Sequence, residues 1–145
     1  MEFAFVAPVT LLLIFAVIDF GRALFTYDLV ANDARLGSRY AMVRGALGCA
    51  SAALPDCPLT QSALQTHLQN VSSGIDISKL TVLLSHTAQP NCLQTTTVSG
   101  AASYPNQDGP QCLVTVTVNY TFNFVTLSSF ASVPMTSTSQ VVISQ

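Results

Sequence analysis

Glu2 is the first residue in the chain with distinctive chemistry. It is the single carboxylate ahead of Asp19, and the sixteen residues from Phe3 to Ile18 carry no charge. A carboxylate among apolar side chains is costly unless a cation meets it. The chemistry open to Glu2 is therefore ion pairing. Asp19 and Arg22 lie three apart on one helix face, where they can partly neutralise each other. Four cysteines, Cys49, Cys57, Cys92 and Cys112, all fall outside the apolar run. Their even number and the lack of a C-x-x-C spacing favour disulfides over a metal site. Of the three possible pairings the nearest neighbours are expected, Cys49–Cys57 and Cys92–Cys112. Each bridge would close a short loop and contribute about 3 kcal/mol. Disulfides would also place this part of the chain outside the cytoplasm.

Catalytic groupings do not assemble from the remaining residues. His67 and His86 are the only imidazoles, they fall in different segments, and neither has an acid and a serine spaced for a triad. Both read as solvated or capping residues. There is no Gly-rich phosphate loop, no H-E-x-x-H and no pair of acids within one element. The acids are too scattered for a calcium loop, which needs closely spaced oxygen ligands. No catalytic residue, cofactor-binding residue or metal ligand is proposed, and the chain is read as a non-enzyme without a cofactor.

Composition points the same way. Half of the 145 residues are hydrophobic and 8% are charged, against about 25% charged in average soluble proteins. The net charge of −2 offers no polyanion-binding surface, so nucleic acid is not an expected partner. Arg22, Arg35, Arg39 and Arg44 fall in the first third, and Lys79 is the one basic residue beyond them. No basic cluster is present to hold an acidic membrane surface. The later surface must be built from Ser, Thr, Asn and Gln.

The elements that position these residues follow from periodicity. Sixteen residues at 1.5 Å each make roughly 24 Å of helix, against a hydrocarbon core of ~30 Å. Phe20, Ala23, Leu24 and Phe25 can extend the span if Asp19 and Arg22 pair. A secretory signal would carry a basic n-region and a small-residue cleavage site. No basic residue precedes this run, and Asp19-Phe20-Gly21-Arg22 makes a poor cleavage site. A buried helix of a soluble protein is the other rival, and Pro8 and the unbroken apolarity stand against it. Pro8 removes a backbone donor and is expected to kink or locally break the helix, or to sit in the first turn of a helix that starts late. The arginines beyond the run would by themselves draw the following part into the cytoplasm, whereas the cysteines place it outside. A basic leader removed before or at Met1 reconciles the two, so the chain is expected to be a processed form.

Past Arg22 the pattern becomes amphipathic. Phe20, Leu24, Tyr27, Ala31, Ala34, Ser38 and Ala41 recur at spacings of four and three, a single helical stripe. Asp28, Asn32, Asp33, Arg35 and Arg39 fall largely off it and read as solvated or intersubunit charges. Small residues toward Ala41 would let the helix lie close against a sheet. One helix is expected from about Glu2 to Val43, ended near Gly45 and Gly48. Thr60 can cap a short helix through about Val71, with Ala63 or Leu64, Leu68 and Val71 facing inward. Leu80–Leu84 reads as a strand and Thr95–Val98 as a weaker one. From Val114 to Phe124, apolar residues alternate strictly with Thr and Asn, which places them on opposite faces. A last strand is expected over Met135–Ile143, and Gly100–Pro110 reads as a loop.

The fold class is therefore α+β: a long hydrophobic-then-amphipathic N-terminal helix packed on an antiparallel sheet. Residues 1–44 form the helical part, apolar over 3–18 and amphipathic over 19–44. Residues 45–145 form a disulfide-stapled β-rich domain outside the cytoplasm.

Glu2-Phe3-Ala4, Pro8, the run of Leu and Ile, Asp19-Phe20-Gly21-Arg22 and Ala34-Arg35-Leu36-Gly37-Ser38-Arg39-Tyr40-Ala41 together resemble the TadE-like family, pilin-like proteins of the tight-adherence (Tad) pilus system. The likeness is dense over residues 2–41 and looser at the C-terminal strands, and residues 45–110 carry no matching motif. The resemblance implies a pilin-like fold and a prepilin-type precursor. Its leader would be cleaved by a prepilin peptidase, and the chain would move from the inner membrane into an extracellular filament with the help of the pilus assembly machinery. The assembly residues it points to are Glu2, Phe3, Phe5, Pro8, Asp19 and Arg22. In related pilins the acid stands fifth in the mature chain. Here Glu2 is second, so either Met1 is not the mature first residue or processing differs. The partner for Glu2 is then an N-terminal ammonium freed by cleavage, on the same or a neighbouring subunit, and the alternative is a carboxylate resting at headgroup level. Within this reading the chain is a main or a minor pilin. A membrane-anchored extracytoplasmic binding domain that does not polymerise is the rival from another class.

Overall fold

In the computed structural model, residues 2–45, 49, 54, 56–57, 59–87, 92, 109, 111–125 and 132–144 are described. A single helix, α1, spans Glu2–Met42, within one residue of the expected end. It runs through Pro8 without interruption. Thr10 donates its hydroxyl to the Val6 carbonyl at 3.0 Å, so the one hydroxyl in the apolar stretch is satisfied within the helix.

A second helix, α2, spans Gln61–Val71 and starts where Thr60 accepts from the Ala63 amide at 3.2 Å. That bond satisfies one of the orphan donors of its first turn. Leu64 and Leu68 are buried as expected, whereas Val71 is half exposed rather than inward. A 3-10 turn over Ile77–Lys79 leads into three strands: β1 (Leu80–Thr87), β2 (Leu113–Asn123) and β3 (Ser132–Val142). They form one antiparallel sheet in the order β1-β2-β3, in register through Val82, Val118 and Ser137. The α+β arrangement is the expected one. The weak strand expected over Thr95–Val98 lies outside the described residues. So does the Gly100–Pro110 loop, apart from Gly109. Between residues 55 and 58 only Asp56 and Cys57 are described.

Strict alternation in β2 sets the core. Val114, Val116, Val118, Tyr120 and Phe122 point one way and are buried, and the Thr and Asn residues face the other side. α1 lies across β2 and β3, and α2 packs against β1. The apolar side of the sheet thus meets Val30, Ala34 and Ala41 of α1 and Leu64 and Leu68 of α2. Contact between helix and sheet is closest at Gly37. A Cβ there would stand 3.0 Å from Val116 Cγ1 and 3.2 Å from Leu68 Cδ1, both fully buried. Gly37→Val is therefore expected to cost about 1–3 kcal/mol by overpacking. Gly21→Ala, where a Cβ meets nothing within 4 Å, should be neutral or stabilising by up to about 1 kcal/mol. Urea unfolding of the two variants in detergent checks the contrast, and equal midpoints would contradict this packing.

The face that α1 turns to the sheet differs from the stripe expected over its first half. Phe20, Leu24 and Tyr27 are all more than half exposed. The buried positions are Asp19, Thr26, Val30, Asp33, Ala34, Gly37, Ser38 and Ala41. Polar residues can occupy this face because each finds a partner. Thr26 donates to the Arg22 carbonyl at 2.9 Å. Ser38 donates to the Arg35 carbonyl and lies 2.9 Å from the Ser139 hydroxyl of β3. Asp33, expected to be solvated, accepts from the Ser72 hydroxyl at 2.7 Å, just past the end of α2.

Burial raises the Asp33 carboxyl above its ordinary value, and the Ser72 hydrogen bond opposes this in part. A raised acid contributes stability that is complete below 3.8 and lost as pH rises through its folded value. Asp33→Asn keeps an oxygen for Ser72 and removes the buried charge. It should raise the unfolding midpoint at neutral pH and flatten its dependence on pH above 3.8. A variant less stable than the parent at neutral pH would contradict this account of Asp33.

Disulfides join Cys49 to Cys57 and Cys92 to Cys112. The second enters the core, because Cys112 is fully buried at the head of β2. Its carbonyl accepts from the Ile143 amide at 2.9 Å, which carries the β2–β3 ladder one step further.

Candidate functional site: the exposed apolar helix

From Phe3 to Ile18 every described side chain of α1 is exposed except Ala7, which is half buried. Phe3 and Phe5 are each 82% exposed. Soluble monomers seldom leave contiguous apolar patches of more than a few hundred Å² in water. Among the described residues, α1 is the one helix long and apolar enough to cross a membrane. Its Phe3–Ile18 stretch suits lipid or other apolar helices, and none of the described side chains there is buried. Pro8 is exposed within this stretch, and Glu2 opens the helix. The pairing role of Glu2 rests on its chemistry and belongs to the proposal below.

Asp19 marks the point where the exposed rod meets the folded part. Its side chain is buried, it lies 3.5 Å from the Arg22 guanidinium, and it accepts from the Val125 amide just beyond β2 at 3.3 Å. The pair expected from the i, i+3 spacing is present, and the carboxylate also ties the helix to the end of the central strand. Arg22 keeps half of its side chain in the open, with its guanidinium 5.8 Å from the centre of the Phe122 ring. The six residues singled out in the sequence thus fall along one helix. Four lie on the free rod, and Asp19 and Arg22 stand at its junction with the sheet.

The junction also exposes side chains that sequence reasoning assigned to the core. Phe20, Leu24 and Tyr27 carry the apolar surface about two turns past Ile18. Their i, i+4, i+7 spacing was visible in the sequence, but nothing local tells whether such a stripe faces its own sheet or another molecule.

At the far end of α1, the Tyr40 ring stacks on His67 with centroids 3.8 Å apart, and the Arg44 guanidinium lies 3.4 Å from the Tyr40 ring centre. His67 is therefore an aromatic partner rather than a solvated or capping residue. A cleft of about 330 Å³ beside it is lined by His67, Asp56 and Ser62. Asp56 accepts from the Tyr40 hydroxyl at 3.0 Å. No hydrogen bond joins His67 to Asp56 or Ser62 among the described residues.

The family model for TadE-like proteins matches residues 1–39, which covers α1 almost to its end and stops short of the sheet. No curated protein and no solved structure matches the chain. The likeness to TadE-like proteins is thus confined to the helical part of the chain.

Proposed function

We propose that this chain, TadE-like over residues 1–39, is a structural subunit of an extracellular Tad-type filament, type IV pilus-like, as main or minor pilin. The observation that carries the reading is the exposure of the large apolar side chains described between Phe3 and Ile18, beside a folded sheet that does not bury them. Such a rod requires lipid or copies of itself around it.

In this reading a prepilin peptidase trims the precursor in the inner membrane, and the rods then leave lipid to pack together in the filament core. Glu2 meets an ammonium at a neighbouring chain end, which rewards one axial register over others. Phe3, Phe5 and Pro8 pack in the core of the rods. Asp19 and Arg22 hold the rod rigidly to the displayed sheet. The two disulfides fit an oxidising surface location. The residues given roles here bind and pack, and none is assigned a reaction.

Negative-stain microscopy of material sheared from cells, followed by peptide mapping, tests this. Filaments containing this chain are expected. If the chain is recovered only as a detergent-extracted monomer, and is absent from sheared material, it is an anchored domain that does not polymerise.

A further inference from the structure

A second cleft, of about 230 Å³, opens where the rod enters the folded part. It is lined by Arg22 and Thr26 of α1, Asp76 and Lys79 of the turn before β1, and Tyr120 and Asn123 of β2. The two cations lie 57 positions apart in sequence, so only the fold reveals them as a pair. Each already has a carboxylate at 3.5 Å, Asp19 for Arg22 and Asp76 for Lys79, and each side chain stays more than a third exposed. Tyr120 is 8% exposed. Its oxygen accepts from the Asp76 amide at 3.4 Å, and its own proton has no acceptor among the described residues. On the cleft wall, the Tyr120 hydroxyl can donate to a ligand oxygen.

Depth decides what that ligand is. A hydrocarbon core of ~30 Å takes up about twenty helical residues. Counted from Phe3, it ends close to Arg22. The cleft mouth then lies at headgroup level, with the exposed Phe25 on the same turn. Asp76 stays ionised there. The Ser78 hydroxyl, at 2.7 Å, and then the Ser78 amide, at 3.1 Å, hold its carboxyl below the usual range.

We propose that this cleft binds the headgroup of a zwitterionic, amine-bearing phospholipid. Its phosphate oxygens meet Arg22, Lys79 and the Tyr120 hydroxyl, and its ammonium meets Asp76. Free phosphate shares the oxyanion contacts but leaves Asp76 facing a like charge. A headgroup phosphate also accounts for an arginine at the outer end of the span, where the usual bias of basic residues runs the other way. The inference rests on the membrane reading of α1 and not on polymerisation.

The full chain in dodecyl maltoside, a detergent without phosphate, can be titrated with dihexanoyl phosphatidylethanolamine, dihexanoyl phosphatidylcholine and inorganic phosphate. The readout is the backbone amide shifts of residues 74–79. Phosphatidylethanolamine should give saturable shifts and bind more tightly than the choline lipid, whose methylated nitrogen cannot donate to Asp76. Lys79→Gln should weaken it about tenfold or more, the loss of one charge-assisted hydrogen bond. Asp76→Asn, which keeps the cap on Ser78, should abolish the preference for the ethanolamine lipid. Retained β2 shifts in both variants report an intact fold. The inference is overturned by the absence of saturation, by unchanged binding in Lys79→Gln, by a preference that survives Asp76→Asn, or by phosphate that competes as well as the lipid. Vesicle flotation separates the two readings. A chain that does not float defeats the membrane reading itself, and one that floats without these shifts defeats only the cleft.

Discussion

Glu2→Ala is expected to remove the chain from sheared extracellular material while leaving its membrane-bound pool at the parental level. In lipid the carboxylate stands at the start of the helix, and losing it there costs little. Between packed rods the situation reverses, because the ammonium that Glu2 would meet is left without a counter-charge in apolar surroundings. Breaking a buried pair by removing one partner costs about 3–5 kcal/mol, which is more than about a hundredfold in an association constant. Glu2→Gln should fall between the two, since an amide can accept a hydrogen bond without neutralising the charge. Immunoblots of sheared and membrane fractions measure both pools. Equal extracellular yield from the parent and Glu2→Ala would remove the register role of Glu2.

Replacing Cys92 and Cys112 together by serine should be the most damaging change to the folded part. The bridge closes a separation of 20 residues, and that of Cys49–Cys57 closes 8. The chain-entropy treatment gives about 3 kcal/mol for the longer loop and about 2.5 kcal/mol for the shorter. Cys112 adds to this because it is fully buried at the head of β2, where a serine hydroxyl is costly without a partner. For a domain of this size each kcal/mol corresponds to about 4–8 °C in the melting midpoint. A drop of roughly 12–24 °C is therefore expected for the Cys92/Cys112 double variant, and less for Cys49/Cys57. Calorimetry in detergent under non-reducing conditions measures both. A loss confined to the Cys49–Cys57 variant would contradict the placement of the longer bridge in the core.

How much of this was legible in the sequence differs from element to element. The bounds of α1, the Thr60 cap and the alternation in β2 were readable because each rests on local chemistry: an unbroken apolar run, a hydroxyl before a helix, a period of two. The face that α1 turns to the sheet was not. Hydrophobicity favours Phe20, Leu24 and Tyr27 over Asp19, Thr26 and Asp33, yet the polar set is inside. Thr26 bonds within its own helix, but the burial of Asp19, Ser38 and Asp33 depends on partners far along the chain. Val125 lies 106 positions from Asp19, Ser139 lies 101 from Ser38, and Ser72 lies 39 from Asp33. His67 was misread for the same reason, since its stacking partner Tyr40 belongs to another helix. The junction cleft escaped notice because Arg22 and Lys79 lie far apart in sequence, and only the turn before β1 folded against α1 brings them to one cleft. The exposed stripe shows the converse limit. Periodicity finds an apolar face and says nothing about which molecule covers it.

In the proposed reading the leading helix exchanges a lipid environment for copies of itself. A photo-crosslinking amino acid in place of Leu12, which is 71% exposed on the free rod, tests it in cells. The account predicts lipid adducts from the membrane fraction and chain-to-chain adducts from the sheared surface fraction of the same culture. Lipid adducts in the membrane with no chain-to-chain adducts anywhere, or adducts only to the chain's own sheet, would contradict it.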